Sequence, residues 1–85
     1  MHVTIISPER SVYDGDAAGV VAPAYDGQVG ILPRHAPFMT LLGSGTLTVR
    51  EHGGDRTFSV RGGFLQVIDE RVRVVAEQAE EASNA

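Results

Sequence analysis

Short apolar stretches alternate with polar positions along most of this chain, and glycine, proline or aspartate interrupts them every few residues. The clearest stretch is 46–51, where Leu47 and Val49 share one face and Thr46, Thr48 and Arg50 the other. A period of two marks a half-buried strand, because successive side chains of an extended backbone point to opposite sides. Gly53 and Gly54 form a hairpin-turn signal, and 57–61 return with Phe58 and Val60 inward. Gly62 and Gly63 break the run, 64–68 resume it, and 69–71 turn the chain into 72–75. Upstream, 2–7 open as a strand stopped by Pro8, which lacks a ladder donor. Residues 11–14 make a second strand that ends at Asp14–Gly15, and 18–22 a third that runs into Pro23.

Residues 26–33 contain Gly27 and Gly30 and are expected as a tight, shaped loop with a short extended piece. The apolar run 38–42, bounded by Pro37 and Gly43, is too short for periodicity to decide its type. From Glu77 the chain turns polar and alanine-rich, enough for one or two helical turns at most. Many short strands joined by turns predict an all-β fold, a flattened antiparallel β-sandwich of about ten short strands in two sheets. Residues 1–77 form the sandwich domain in this reading, and 78–85 a short polar C-terminal tail.

Composition narrows the picture. With 85 residues, 42% apolar and 21% charged, the chain is globular and one domain at most. A domain this small buries only about 60% of its unfolded surface, so contact with a partner would help its thin stability margin. Cysteine is absent, which removes disulfides and thiolate metal sites and favours a reducing compartment. All seven basic residues are arginine, and the lack of lysine excludes Schiff-base chemistry and a Walker-type phosphate loop. A formal net charge of −4 argues against nucleic acid as the main partner. Nothing approaches the ~20 apolar residues of a membrane span, and the N-terminus lacks a signal pattern.

Candidate chemistry is sparse. His2, His35 and His52 are far apart, whereas zinc needs three or four convergent ligands. Ser44 lies between Gly43 and Gly45, which reads as a turn and not a nucleophile elbow. Asp69 and Glu70 fall in a predicted turn, where solvated charge is the plain explanation. The reading therefore assigns no catalytic, cofactor-binding or metal residue. The segment from Gly27 to Phe38 stands apart, with two glycines, two prolines and a histidine beside apolar residues. It is either a constrained turn with His35 capping a backbone carbonyl, or a preformed contact surface that loses little entropy on association. Chemistry alone leaves both open.

The same segment, DGQVGILPRHAPFMT, resembles the epsilon-subunit pattern of rotary ATP synthases, and the similarity extends across residues 2–80. MHVTIISPERSVYDGDAAGVVAPAYDG looks like that family's opening strands, and RTFSVRGGFLQVIDERVRVVAEQAE like its later hairpins. The resemblance implies a two-sheet sandwich at the foot of the rotor shaft. It would bind the gamma subunit and the c-ring, and through them the alpha–beta hexamer indirectly. It implies no catalytic residue, no cofactor and no nucleic acid. Any membrane association would be through the complex, at the cytoplasmic face of the bacterial plasma membrane. By position, Gln28 and Val29 would meet the c-ring, and Arg34, His35, Ala36, Pro37, Phe38 and Thr40 the gamma subunit. Gln28 stands where many members carry an acid, and its amide cannot make a charge-assisted bond to arginine. Arg34 stands where glycine is frequent, which argues against positive φ there and adds a charge that could reach gamma or the ring. Most relatives continue into a helical hairpin that can block ATP hydrolysis and in some binds ATP. The sequence ends at Ala85 without it: as a natural end this leaves coupling and assembly, and as a fragment it leaves the inhibitory and nucleotide-sensing functions to the missing half. Two other classes remain: a stand-alone binding sandwich that recognises a small ligand or peptide through an edge strand, which a deep, closed apolar pocket would favour, and a small hydrolase with His35 as base.

Overall fold

A computed structural model describes residues 1–82 and contains eight strands. They are β1 (His2–Ser7), β2 (Arg10–Asp16), β3 (Gly19–Ala24), β4 (Gly27–Ile31), β5 (Phe38–Leu41), β6 (Ser44–Glu51), β7 (Gly54–Ile68) and β8 (Arg71–Glu81). All join one hydrogen-bonded sheet in the order β2-β1-β8-β7-β6-β3-β4, with β5 paired to β7 off this path. The sheet doubles over along β7 and β8. The second half of β7 pairs with β5 and the first half with β6, on the same side of the strand. One layer is therefore β2-β1-β8-β7-β5 and the other β8-β7-β6-β3-β4.

The all-β fold holds, and its strand count is resolved by this bend. Eight strands stand where about ten were expected, in one continuous sheet and not two, because β7 and β8 each lend a segment to both layers. One pair, β1 with β8, is parallel; every other pair is antiparallel. Gly62 and Gly63 lie within β7 with φ of 70° and 93°, so they bend a strand that the sequence reading broke there. The 77/78 domain boundary falls inside β8. Gln78–Glu81 pair with Arg61–Phe58, and Ala79 packs against the core. Residues 83–85 of the expected tail lie outside the described residues.

Seventeen buried apolar side chains fill the space between the layers as one cluster, with Ile5, Ile31, Leu47, Phe58 and Leu65 among the largest. Phe58 on β7 meets Tyr13 on β2 edge-on, their ring centroids 5.5 Å apart, although the two strands do not pair. That contact bridges the layers. Arg56 covers it, its guanidinium 4.9 Å from the Tyr13 ring, and binds Glu81 through both terminal oxygens at 2.6 and 2.7 Å.

The Tyr13 hydroxyl donates to Glu51 at 2.5 Å. Burial, then this hydrogen bond and the Glu51 charge, push the phenol up to about 12. A raised pKa in the folded state favours the protonated phenol. Its stabilisation is complete below the unfolded value near 10 and is lost as pH climbs from about 10 to 12. Tyr13→Phe is expected to lower stability near neutral pH by about 1 kcal/mol. It also removes the alkaline loss, about 3 kcal/mol in full and roughly half of that by pH 11. Urea unfolding at pH 8 and pH 11 measures both, and an unchanged alkaline slope in the variant sinks this assignment.

Candidate docking surface

The segment singled out in the sequence runs through β4, the connection 32–37 and β5. The short extended piece expected in 26–33 is the five-residue strand β4, longer than the loop reading allowed. It pairs with β3 from Val20↔Ile31 to Ala24↔Gly27, with Val29 and Ile31 turned toward the core. Gln28 is exposed near the β3–β4 turn, whereas Val29, the other residue assigned to the c-ring, is half-buried against the core.

The connection 32–37 is held from both sides. The His35 amide donates to the Leu32 carbonyl at 3.2 Å. The Arg34 amide donates to the Glu70 carboxylate, so the β7–β8 turn anchors this loop. Asp69 and Glu70, read from the sequence as solvated charge, form a two-residue turn with φ of 50° and 63°, the mirror-image type that suits a twisted hairpin. Glu70 thus has a structural partner that sequence alone did not reveal.

Arg34 itself has φ of 68°. The expectation that arginine would avoid this conformation is overturned. A left-handed backbone costs a side-chain-bearing residue about 1–2 kcal/mol, and the Arg34–Glu70 and His35–Leu32 bonds offset it. His35 is half-buried; with its proton on Nδ1 it donates to the Ala36 carbonyl at 2.8 Å, and its ring meets Phe38 edge-on at 5.5 Å. The carbonyl-capping reading of His35 describes this geometry.

In β5 the side chains alternate. Phe38 and Thr40 are half-buried and lie opposite the inward Val67 and Leu65, and Phe38 packs on the core. Met39 and Leu41 point outward, 60% and 62% exposed. With Tyr25 (70% exposed), Val29, Phe38 and Thr40 they line an open groove of about 520 Å³. The structure therefore brings Val29, Phe38 and Thr40 into one groove. Arg34 sits apart with its amide on Glu70, the His35 ring reaches the groove's edge at Phe38, and Ala36 and Pro37 are exposed between them. Tyr25, Met39 and Leu41 were missed in the sequence, because a four-residue apolar strand shows no facing until its partner is known.

The outer face extends this patch. Register pairs Leu41 with Phe64, Phe64 with Val75, and Val75 with Ile6, so one apolar row crosses β5, β7, β8 and β1. Leu41 is exposed and the other three are half-buried. Among the described residues no group of three or more His, Cys, Asp or Glu side chains is placed to hold a metal ion. Surface grooves of about 370–680 Å³ are all open to solvent, unlike the closed pocket a small-ligand binder would need.

The family model for the "ATP synthase, Delta/Epsilon chain, beta-sandwich domain" matches residues 1–82. The chain belongs to this family. The ATP synthase epsilon chain of Chloroflexus aurantiacus is 43% identical over 82 residues, covering 96% of this chain and 59% of that relative. That of Caulobacter vibrioides is 39% identical over 83 residues, covering 98% of this chain and 96% of that one. The chain thus spans about three-fifths of the Chloroflexus relative and nearly all of the Caulobacter one. Among solved structures, the Euglena gracilis mitochondrial ATP synthase (OSCP, F1 and c-ring) contains a chain that superposes with a TM-score of 0.85. The match has 23% identity and covers 93% of this chain and 51% of that one. A chain of the Tetrahymena thermophila central stalk and c-ring gives 0.78 at 20% identity, covering 94% and 65%. At those identities the likeness concerns the fold. This epsilon-family sandwich keeps its outward apolar row on the layer that carries β5.

Proposed function

We propose that this epsilon-family chain is a non-catalytic subunit of the central stalk, which holds the gamma subunit and the c-ring together so that ring rotation drives the shaft. The observation that carries the reading is the outward apolar surface of β5 and its continuation through Phe64, Val75 and Ile6. A monomer gains nothing by exposing Met39 and Leu41 side by side with Tyr25, and such patches mark protein–protein contacts. The anchored 32–37 loop beside it is already ordered, so docking costs little further entropy. Gamma covers this row and the loop. Gln28, exposed with Tyr25 and Asp26 at the β3–β4 turn, meets the polar loops of the c-ring through its amide. The chain works at the cytoplasmic face of the membrane, and the complex alone brings it there.

The hydrolase reading gains nothing at His35, whose ring meets the Ala36 carbonyl and Phe38. Docking is tested with Met39→Asp combined with Leu41→Asp. Both side chains are exposed, so the variant is expected to fold and to bind gamma at least about a hundredfold more weakly. Phe38→Asp is the poorer probe, since Phe38 supports the core. Undiminished co-purification of the double variant with gamma removes this reading of the surface.

A further inference from the structure

The apolar row borders a basic stripe. Arg71 and Arg73 lie on β8 four and two residues before Val75, so all three share its outer face. Register places Arg73 between Thr4 and Gln66, and Arg71 between His2 and Ile68. These six residues, together with Val72 and the Asp69 carboxylate at one end, line an open groove of about 680 Å³. Both arginines are exposed, and among the described residues neither forms an ion pair, in a chain of net charge −4.

The nearby carboxylates on β2 are already taken. His2 Nε2 lies 2.6 Å from Asp14, and its Nδ1 lies 3.3 Å from Asp16. Two free guanidinium groups thus stand on one strand face, their Cα atoms about 6–7 Å apart from the strand rise. Each can take a carboxylate through two parallel N–H···O bonds. The adjoining apolar row would exclude water once covered, which strengthens charge pairing at its border.

We propose that Arg71 and Arg73 receive an acidic segment of the docked partner, one that presents two carboxylates at this spacing beside its apolar contact residues. The inference rests on the reading that gamma covers this face, and it adds the chemistry that fixes register. The apolar row supplies contact area without direction, and the arginine pair orients the partner and speeds encounter.

The test measures binding of this full chain to the gamma subunit of the same source over a salt series. Wild type is compared with Arg71→Gln/Arg73→Gln and with Arg71→Lys/Arg73→Lys. The glutamine pair is expected to bind about tenfold more weakly at low salt and to show a flatter salt dependence, converging with wild type at high salt. The lysine pair keeps the salt slope and recovers part of the affinity, since it retains charge without the forked geometry. Because both arginines are exposed, thermal unfolding of the variants should match wild type. A glutamine pair that equals wild type in affinity and slope overturns this inference and leaves gamma docking intact. So does weakened binding with an unchanged salt slope. Failure of wild type to bind gamma at all overturns both readings together.

Discussion

Gly63→Ala is expected to abolish folding, whereas Gly62→Ala leaves a folded but weakened chain. The two glycines are adjacent, both have positive φ, and both lie where the sheet doubles over. What a methyl group would meet differs sharply. At Gly63 a Cβ would fall 1.9 Å from the Val75 carbonyl oxygen and 2.8 Å from its carbon, which are backbone atoms of β8. Only separation of β7 from β8 relieves that clash. Gly63 also accepts the Leu42 amide at 3.0 Å, so the same shift loosens the end of β5. The loss is about 4 kcal/mol or more, a large share of the whole stability of a small domain. At Gly62 the nearest atoms are the Glu77 carboxylate at 2.6–2.7 Å, the far end of an exposed side chain that can swing aside. There the cost is the left-handed backbone, about 1–2 kcal/mol, partly offset by a less flexible unfolded chain. Circular dichroism and urea unfolding of both variants decide the matter. Equal melting of the two would mean that the bend does not depend on close approach at Gly63.

This pair also shows why the fold was only partly legible. Alternation exposed the strands whose two faces differ in polarity: Leu47 and Val49, then Phe58 and Val60, are all buried as expected. It failed where side chains are missing or small. Gly27 and Gly30 hid the period of β4, although Val29 and Ile31 keep it. Gly62 and Gly63 resembled a break because glycine marks ends and bends alike. In 78–81 the strand is dictated by pairing with Arg61–Phe58 on β7, a tertiary partner that no local pattern announces. The gap between about ten strands in two sheets and eight in one has this same origin.

The candidate site divides along similar lines. The resemblance located the segment, and the rigid-turn chemistry was visible in its glycines and prolines. Which side chains face outward was not visible. Phe38 and Thr40, assigned as contacts, turn toward the core side, while Met39 and Leu41 between them face solvent. Facing on β5 follows from its register with Val67, Gln66, Leu65 and Phe64. Glu70 was equally hidden, because its bond to the Arg34 amide joins residues 36 apart in sequence.

Phe58→Ala separates folding from docking. Phe58 is fully buried, meets Tyr13 across the layers, and lies under the Arg56 guanidinium at 5.8 Å. Truncation of a buried phenylalanine costs about 3–5 kcal/mol, the transfer energy of the ring plus the cavity left behind. A chain of this size has about 4–13 kcal/mol in total, so the isolated variant is expected to be largely unfolded or close to its midpoint. The outward face carrying Met39, Leu41, Phe64 and Val75 is not part of that cavity. A partner that binds only the folded state restores stability by mass action, about 2.7 kcal/mol at a concentration a hundredfold above its dissociation constant. Excess gamma should therefore recover folded Phe58→Ala, read as a rise in melting temperature with gamma concentration. It should do nothing for the docking variant carrying Met39→Asp and Leu41→Asp, which is folded already and cannot bind. If gamma fails to raise the melting temperature of Phe58→Ala while it binds wild type tightly, folding and docking are not the separable properties that these two faces of the sheet imply.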